Sequence, residues 1–331
     1  MTLPVLLRGP RKPQNKHGNT HMANPGIVSN LGQANGVGDV QANFVKVATG
    51  EILTAFTRTV EFADKHMVRN ISEGKSASFP VTGRTSGARY HTPGDQVLGT
   101  VTKFNERVIT IDDLLLTDYF TANIYEAMNH FETRSEMTKQ LGEELAQAYD
   151  RNVARTMLLT TRMSNVVDNL PGGGKIVNAA LLTDSDQMAK AFFDAAAVLD
   201  GKYIPAERYA ALKPVQYYAL AQNTKVINVQ WDGKGSYSDG KVVKIADIPI
   251  FKSLNLPNGT NVNTGPAKYQ GDFTNTAGII FNKGLAGTVK LLDVAIESEY
   301  MVSRQGTLIV AKYAVGHGGL RPECGLELAT A

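Results

Sequence analysis

Cysteine, long apolar runs, phosphate-cradling glycine loops and any large surplus of charge are all missing from this chain, and each absence excludes a class of function. The single cysteine, Cys324, cannot form an intrachain disulfide or a cysteine-based metal cage. Its place in the Pro322–Gly325 tail shows no feature that would activate a thiol nucleophile. No stretch of about 18 apolar residues is available to span a bilayer. Leu3–Leu7 is too short, and too closely flanked by charge, for a signal peptide. The expectation is therefore no membrane association and no secretion. A net charge of +3 over 331 residues disfavours a dedicated nucleic-acid binder with a saturated basic face.

Enzyme signatures fail one by one. Gly174-Lys175 suggests a phosphate loop, but Asn169 and Ile176 stand where that loop needs glycine and a hydroxyl residue. Gly36-Val37-Gly38 lacks a third glycine and a preceding strand. No G-x-S-x-G element occurs. The six histidines, at 17, 21, 66, 91, 130 and 317, are scattered and suggest no metal cluster. Asp184-Ser185-Asp186 is read as a helix N-cap in preference to an acidic metal pair. The expectation is no catalytic residue, no cofactor and no metal.

What the chain does have is a long helical pattern from Asn123 to about Thr160, with no proline and only Gly142 as glycine. At 100° per residue, Ile124, Met128, Phe131, Leu145, Tyr149 and Val153 share one stripe, and Glu132, Glu136, Gln140, Glu143, Gln147 and Asp150 form a polar sector. Asn123 with Glu126 marks the start, and Arg151, Arg155 and Arg162 put positive charge at the end. Such a helix is longer than one compact core needs. Its acidic row is read as a solvated face: Glu126 and His130 lie i, i+4, not the i, i+3 of carboxylate di-metal helices, and Lys139 partly neutralises the row.

The segments around this helix differ in character. Met1–Ala42 is rich in Gly, Pro, Asn and Gln without period, and residues 1–50 carry five basic groups against Asp39 alone. It reads as an arm ordered only against a partner, or as a solvated terminus. Phe44–Phe62 ends in a short helix with Ile52, Phe56 and Val60 aligned. From His66 to Thr110 a long hairpin is expected, with Ala77, Phe79 and Val81 alternating. It carries Arg69, Lys75, Arg84, Arg89, His91, Lys103 and Arg107, and too few bulky apolar residues to fold back on the chain's own core. Such an arm suits nucleic acid or an acidic surface on another subunit, the alternative being a mobile solvated loop. An apolar strand is expected over Val108–Leu116. After Pro171-Gly-Gly-Gly174 come alternating helices and strands, expected at Ser185–Leu199, Tyr209–Leu212, Pro214–Gln222, Val242–Ser253 and Gly278–Phe281, as in an inserted α/β lobe. A closing hairpin turns near Arg304-Gln305-Gly306 and is the expected cover for the long helix.

Seven blocks in order then carry a resemblance. They are Glu51–Arg58, His66–Pro80, Arg107–Asp112, Glu126–His130, Arg134–Glu136, Gln140–Glu143 and Lys312–Glu323, the last containing Gly-His-Gly-Gly-Leu-Arg-Pro-Glu. Together they resemble the major capsid protein of T7-like short-tailed phages, from about Phe44 to Glu323; Met1–Ala42 and Thr161–Pro266 resemble it weakly.

The resemblance implies an α+β fold of the Hong Kong 97 type. Its parts would be an N-terminal arm with a short helix (1–61), an extended hairpin loop (62–110), a peripheral domain with a spine helix (111–165), an inserted axial domain (166–285) and a return to the peripheral domain (286–331). It implies a shell of many copies around double-stranded DNA, a scaffolding protein, a portal protein at one vertex, and assembly in a host bacterial cytoplasm. In that fold the extended loop lies over a neighbour, so Arg69, Lys75, Arg84 and Arg89 are expected to meet Glu132, Glu136 and Glu143 of another copy. A DNA-binding structural protein using the basic hairpin is the alternative.

Overall fold

The computed structural model describes residues 60–331 apart from 86, 98, 129–132, 224–243 and 258; the arm read over 1–42 and nearly all of the 44–62 helix lie outside the described residues. The first elements are β1 (Met67–Asn70), a hairpin of β2 (Ser76–Thr82) and β3 (Phe104–Thr110), β4 (Leu115–Ala122), α1 (Asn123–Met128) and α2 (Thr133–Thr161). An α/β portion follows, with β5 (Lys175–Val177), α3 (Ser185–Gly201), β6 (Arg208–Leu212), α4 (Pro214–Ala221), β7 (Lys244–Ile245) and β8 (Ile248–Lys252). The chain closes with β9 (Asn261–Val262), β10 (Gly271–Asp272), β11 (Thr276–Asn282), β12 (Ala286–Met301), β13 (Gly306–Gly319) and β14 (Gly325–Ala329).

Two main sheets organise the molecule. One runs β1-β12-β13-β4, and the other runs β5-β14-β11-β6-β8-β7. Leu145, Tyr149, Val153, Met157 and Leu158 of α2 are buried, and α2 lies principally against β13, with β4 and β12 beside it. The closing hairpin therefore covers the helix as its alternating pattern predicts; it reverses at Gln305, whose φ of 50° is left-handed. α3, β6, α4 and β11 lie where the pattern puts them, and the Asp184 carboxylate accepts from Asp186 N–H at the start of α3, whereas the described part of the range read over 242–253 is two antiparallel strands, β7 and β8. β14 departs from the expected return: it enters the six-stranded sheet between β5 and β11, so residues 286–331 serve both sheets. Arg162, just past α2, holds it there with a two-pronged pair to Glu327 at 2.7 and 2.6 Å.

Three expectations change. Ile124 and Met128, assigned to the apolar stripe, sit on the separate α1 and are exposed, because that helix touches little beyond the end of β4. The strand read over Val108–Leu116 is broken between β3 and β4. There Ile111 N–H turns to Lys75 O at 2.8 Å and Asp112 N–H to Val315 O at 3.1 Å, while the Asp112 carboxylate takes Lys268 at 2.5 Å. Asp150, read as part of a solvated acidic row, is fully buried and accepts the backbone N–H groups of Glu61 (2.8 Å) and Phe62 (3.4 Å). Those amides precede a short 3-10 turn and have no partner in it, so a carboxylate there replaces lost hydration.

The last block of the chain shows why small residues are needed. A Cβ on Gly316 would strike Thr110 O and Ile111 Cα, and one on Gly319 would strike the Thr160 side chain. The root of the β2–β3 hairpin and the end of α2 both approach β13 at backbone distance through these glycines.

Beneath α2 runs a buried polar chain that joins histidines 251 positions apart in sequence. Thr288 Oγ1 lies 2.8 Å from both His66 Nε2 and His317 Nδ1. His66 Nδ1 faces the Phe62 carbonyl at 2.7 Å, so it carries the proton and leaves Nε2 to accept from Thr288 or from the Tyr149 hydroxyl at 3.1 Å. His317 N–H donates to the Tyr269 oxygen at 3.2 Å, and Tyr269 in turn donates to Asp112. Burial, with Lys290 adding to it, pulls His66 from 6.5 down to about 4 against the opposing pull of the Phe62 carbonyl. His317 is held well below 6.5 by burial, by His66 and by Lys268 and Lys290. Asp150 is pushed up to about 6 by burial, opposed by the Glu61 and Phe62 amides.

Two outcomes follow from this core. Phe62 is fully buried against the rings of Phe251 (5.2 Å) and Phe281 (6.2 Å). Phe62→Ala should cost about 3–5 kcal/mol in denaturant unfolding; a loss under about 1 kcal/mol would show that residues before 66 are not anchored by the ring. The second outcome concerns pH. Unfolded histidines take protons near pH 6.5 while folded His66 resists until about 4, so falling pH through that window removes stability, about 3 kcal/mol for His66 alone. Asp150 works with opposite sign, because the folded form binds its proton near 6 and the unfolded form only near 3.8. Stability should therefore fall less steeply with acid in His317→Gln than in wild type, and more steeply in Asp150→Asn. Identical slopes in all three would mean that these groups do not govern the acid limb.

Candidate functional site

Among the described residues no group of three or more His, Cys, Asp or Glu side chains could hold a metal ion. The surface with the most unusual character is the β2–β3 hairpin, built by seven-residue strands paired from Ser76–Thr110 to Thr82–Phe104. Its inner face alternates. Ala77 and Ile109 are buried with Val289 and Leu320, and Val81 is buried with Val167 and Leu170. The expectation that the hairpin lacks enough apolar surface to pack on its own chain is therefore wrong for this half. Alanine and valine suffice because the approaching surface is β12, β13 and the loop after α2, parts of the chain distant in sequence.

Polar contacts fix the same half. Gly83 N–H donates to Lys103 O at 2.9 Å. Lys103 pairs with Asp168 at 2.6 Å and holds its exposed carboxyl below the usual carboxylate range. Asn105 donates to Val166 O at 2.7 Å, and Arg107 Nε to Gly319 O at 3.2 Å. Beyond Gly83 and Lys103 the chain leaves the ladder, and here the apolar groups point outward: Tyr90, Val97 and Val101, like Phe104 on the last rung, are each at least 70% exposed. An exposed, partly apolar, basic tip is a contact surface in search of a partner.

The expected contact residues divide. Lys75 and Arg89 are exposed on the hairpin. Arg69, on β1, is turned to its own chain: Nη1 donates to Ser78 O at 2.8 Å and the guanidinium lies 6.0 Å from the Phe79 ring. Arg84 Nη2 donates to Lys202 O at 2.5 Å and Tyr203 O at 3.2 Å, and its guanidinium stacks 4.7 Å from the Tyr203 ring. On the helix, Glu143 is half-buried with Oε1 enclosed. Glu132 and the Glu136 side chain lie outside the described residues. Tyr203, Asp168 and Asn169 complete this surface, and the sequence carried no signal for them, since their partners are 65 to 119 positions away. The arrangement offers shape, apolar surface and charge.

Comparison with known proteins gives these features a setting. The Gp10A-like family, described as major capsid protein, matches residues 78–329. The major capsid protein of Escherichia phage T7 is 38% identical over 318 residues, covering 86% of this chain and 91% of that protein. That of Enterobacteria phage T3 is 35% identical over 332 residues, covering 90% and 94%. Among solved structures, the capsid of cyanophage P-SCSP1u superposes with a TM-score of 0.77 at 40% identity, covering 91% of this chain and 97% of that one. The mature capsid of bacteriophage PhiM1 reaches a TM-score of 0.73 at 14% identity, a likeness of fold alone. A helix covered along its length by one β hairpin, an α/β portion and a projecting basic loop are the parts of the Hong Kong 97-type fold, and this chain belongs to the Gp10A-like major capsid protein family.

Proposed function

We propose that many copies of this chain close into a phage head around double-stranded DNA, within the host bacterial cytoplasm, through a scaffolded precursor shell with a portal protein at one vertex. The role is structural, without catalysis. Membership of the major capsid family is the observation that carries the reading. The exposed tip of the hairpin supports how copies engage, since Tyr90, Val97 and Val101 are largely uncovered among the described residues. Arm (1–61), extended loop (62–110), peripheral domain (111–165), axial domain (166–285) and return (286–331) are the working parts in this reading.

In this reading Lys75 and Arg89 face Glu132, Glu136 and Glu143 of a neighbour, while Arg69 and Arg84 support the hairpin from within. Each exposed pair is worth about 0–1 kcal/mol, so a shell gains from repetition and a misplaced copy can still leave. The small net charge of +3 suits a container whose contents must move.

Electron microscopy of the purified full-length chain, alone and with a scaffolding protein, should show closed shells. Small monodisperse species under every condition would sink the reading, and salt-sensitive DNA binding by such species would favour the DNA-binding alternative. The double variant Lys75→Glu, Arg89→Glu should keep the melting temperature of the subunit and lower the yield of closed shells by about tenfold or more, since each lost contact recurs in every copy. An unchanged yield would show that these charges do not meet a neighbour's acids.

A further inference from the structure

We infer that Arg84 is a positioning residue for assembly: by clamping the end of α3 it fixes the direction in which the hairpin tip leaves its own subunit. The inference rests on the reading that this tip reaches a neighbouring copy.

The clamp joins two parts of the chain that the ladder does not join. Lys202 is the C-cap of α3, whose last turn contains no basic residue. Carbonyl oxygens at a helix C-terminus lack intrahelical partners and carry the negative end of the macrodipole, so a cation is favoured there. Arg84 supplies it from 118 positions earlier, with Nη2 shared between the carbonyls of Lys202 and Tyr203. Tyr203 itself has φ of 54°, in the left-handed region where glycine ordinarily ends a helix. A tyrosine in this conformation is strained, because its Cβ crowds the backbone. Here the backbone turn presents the ring to the guanidinium, 4.7 Å away, while the residue remains 78% exposed. An exposed cation–π contact is weak, so the clamp orients the hairpin without welding it.

Its place along the hairpin matters more than its strength. Asn169 donates to the Arg84 carbonyl, and a Cβ on the preceding Gly83 would collide with Asn169 Oδ1 and Lys103 O. Lys103 with Asp168 ties the other strand at the same level. These contacts form a collar at the point where paired strands give way to the exposed tip. About ten residues of extended chain separate the collar from the end of the loop, a reach of up to about 33 Å, so a swing of about 10° at the collar moves the end by roughly 6 Å. That displacement exceeds the depth of a side-chain contact.

The test uses the full-length chain and the shells it forms. Arg84→Ala and Arg84→Lys should melt like wild type and Tyr203→Gly at or above it, yet each should give shells that close poorly and whose diameters spread about twofold more widely, because the root angle is no longer set. Lysine keeps the charge but loses the planar group that stacks and bridges two carbonyls. Wild-type shells from Arg84→Lys would show that charge alone suffices and would overturn the clamp. Wild-type shells from Arg84→Ala or Tyr203→Gly would overturn positioning outright. If Arg84→Ala does not fold, Tyr203→Gly, which relieves backbone strain, decides the matter. A tip variant, Tyr90→Ser with Val101→Ser, separates the two ideas. If it abolishes shells while Arg84→Ala leaves them normal, the clamp fails and the docking tip stands; if it assembles normally, the docking tip itself fails.

Discussion

A helix of 29 residues can bury a continuous stripe only against a partner of matching length, and this requirement governs the rest of the molecule. At about 1.5 Å per residue α2 is roughly 44 Å long, and a strand of the length of β13 at about 3.3 Å per residue is nearly the same. One strand of 14 residues is thus long enough to serve as the principal cover of the helix. Polar groups are costly in such a seam, yet it contains Tyr149 of the helix, Thr288 of β12 and His317 of β13, whose Nε2 has no partner among the described residues, and Asp150 is buried next to Tyr149 on the helix. They are tolerable because each meets another: the two histidines meet Thr288, and Asp150 meets the amides that lead into β1. Packing and polar satisfaction arrive together, and the entry of the chain at Phe62 is fixed by both.

Much of this was legible in the residues because it is periodic. The stripe of Leu145, Tyr149 and Val153, the cap at Asp184 and the turn at Gln305 are local patterns with local causes. Burial of Asp150 was not legible, since the groups that neutralise its cost come from residues 61 and 62, and periodicity places it correctly on the helix while saying nothing of what lies opposite. The meeting of His66 and His317 depends on β1 lying parallel beside β12, a long-range pairing that leaves no mark on either segment. The broken strand at 111–114 has the same origin, in the Lys268 and Tyr269 partners of Asp112. Family resemblance supplied the arrangement of parts that pattern could not.

The hairpin shows why a basic segment is a poor guide to a contact surface. Arg69, Arg84 and Arg107 look equivalent to Lys75 and Arg89 in the sequence, but each donates to a carbonyl of its own chain. Guanidinium groups suit such fixed geometry, because their planar fork meets a carbonyl at a set angle. One charged strip thus includes side chains that shape the subunit, and its sequence alone does not mark which they are.

The six-stranded sheet receives its second strand, β14, from residues 325–329, although the strands on either side of it are residues 175–177 and 276–282. Contacts that span 150 residues close large loops and are slow to form. Until β14 arrives, β5 and β11 present open edges, and an open edge is a template for pairing with another chain. For a protein made in many copies at once, the order in which intramolecular and intermolecular strand pairing occur is then a race. The Arg162–Glu327 pair, in which a buried carboxylate meets a partly exposed guanidinium, seats β14 against the end of α2 and favours the intramolecular outcome once the strand is in reach.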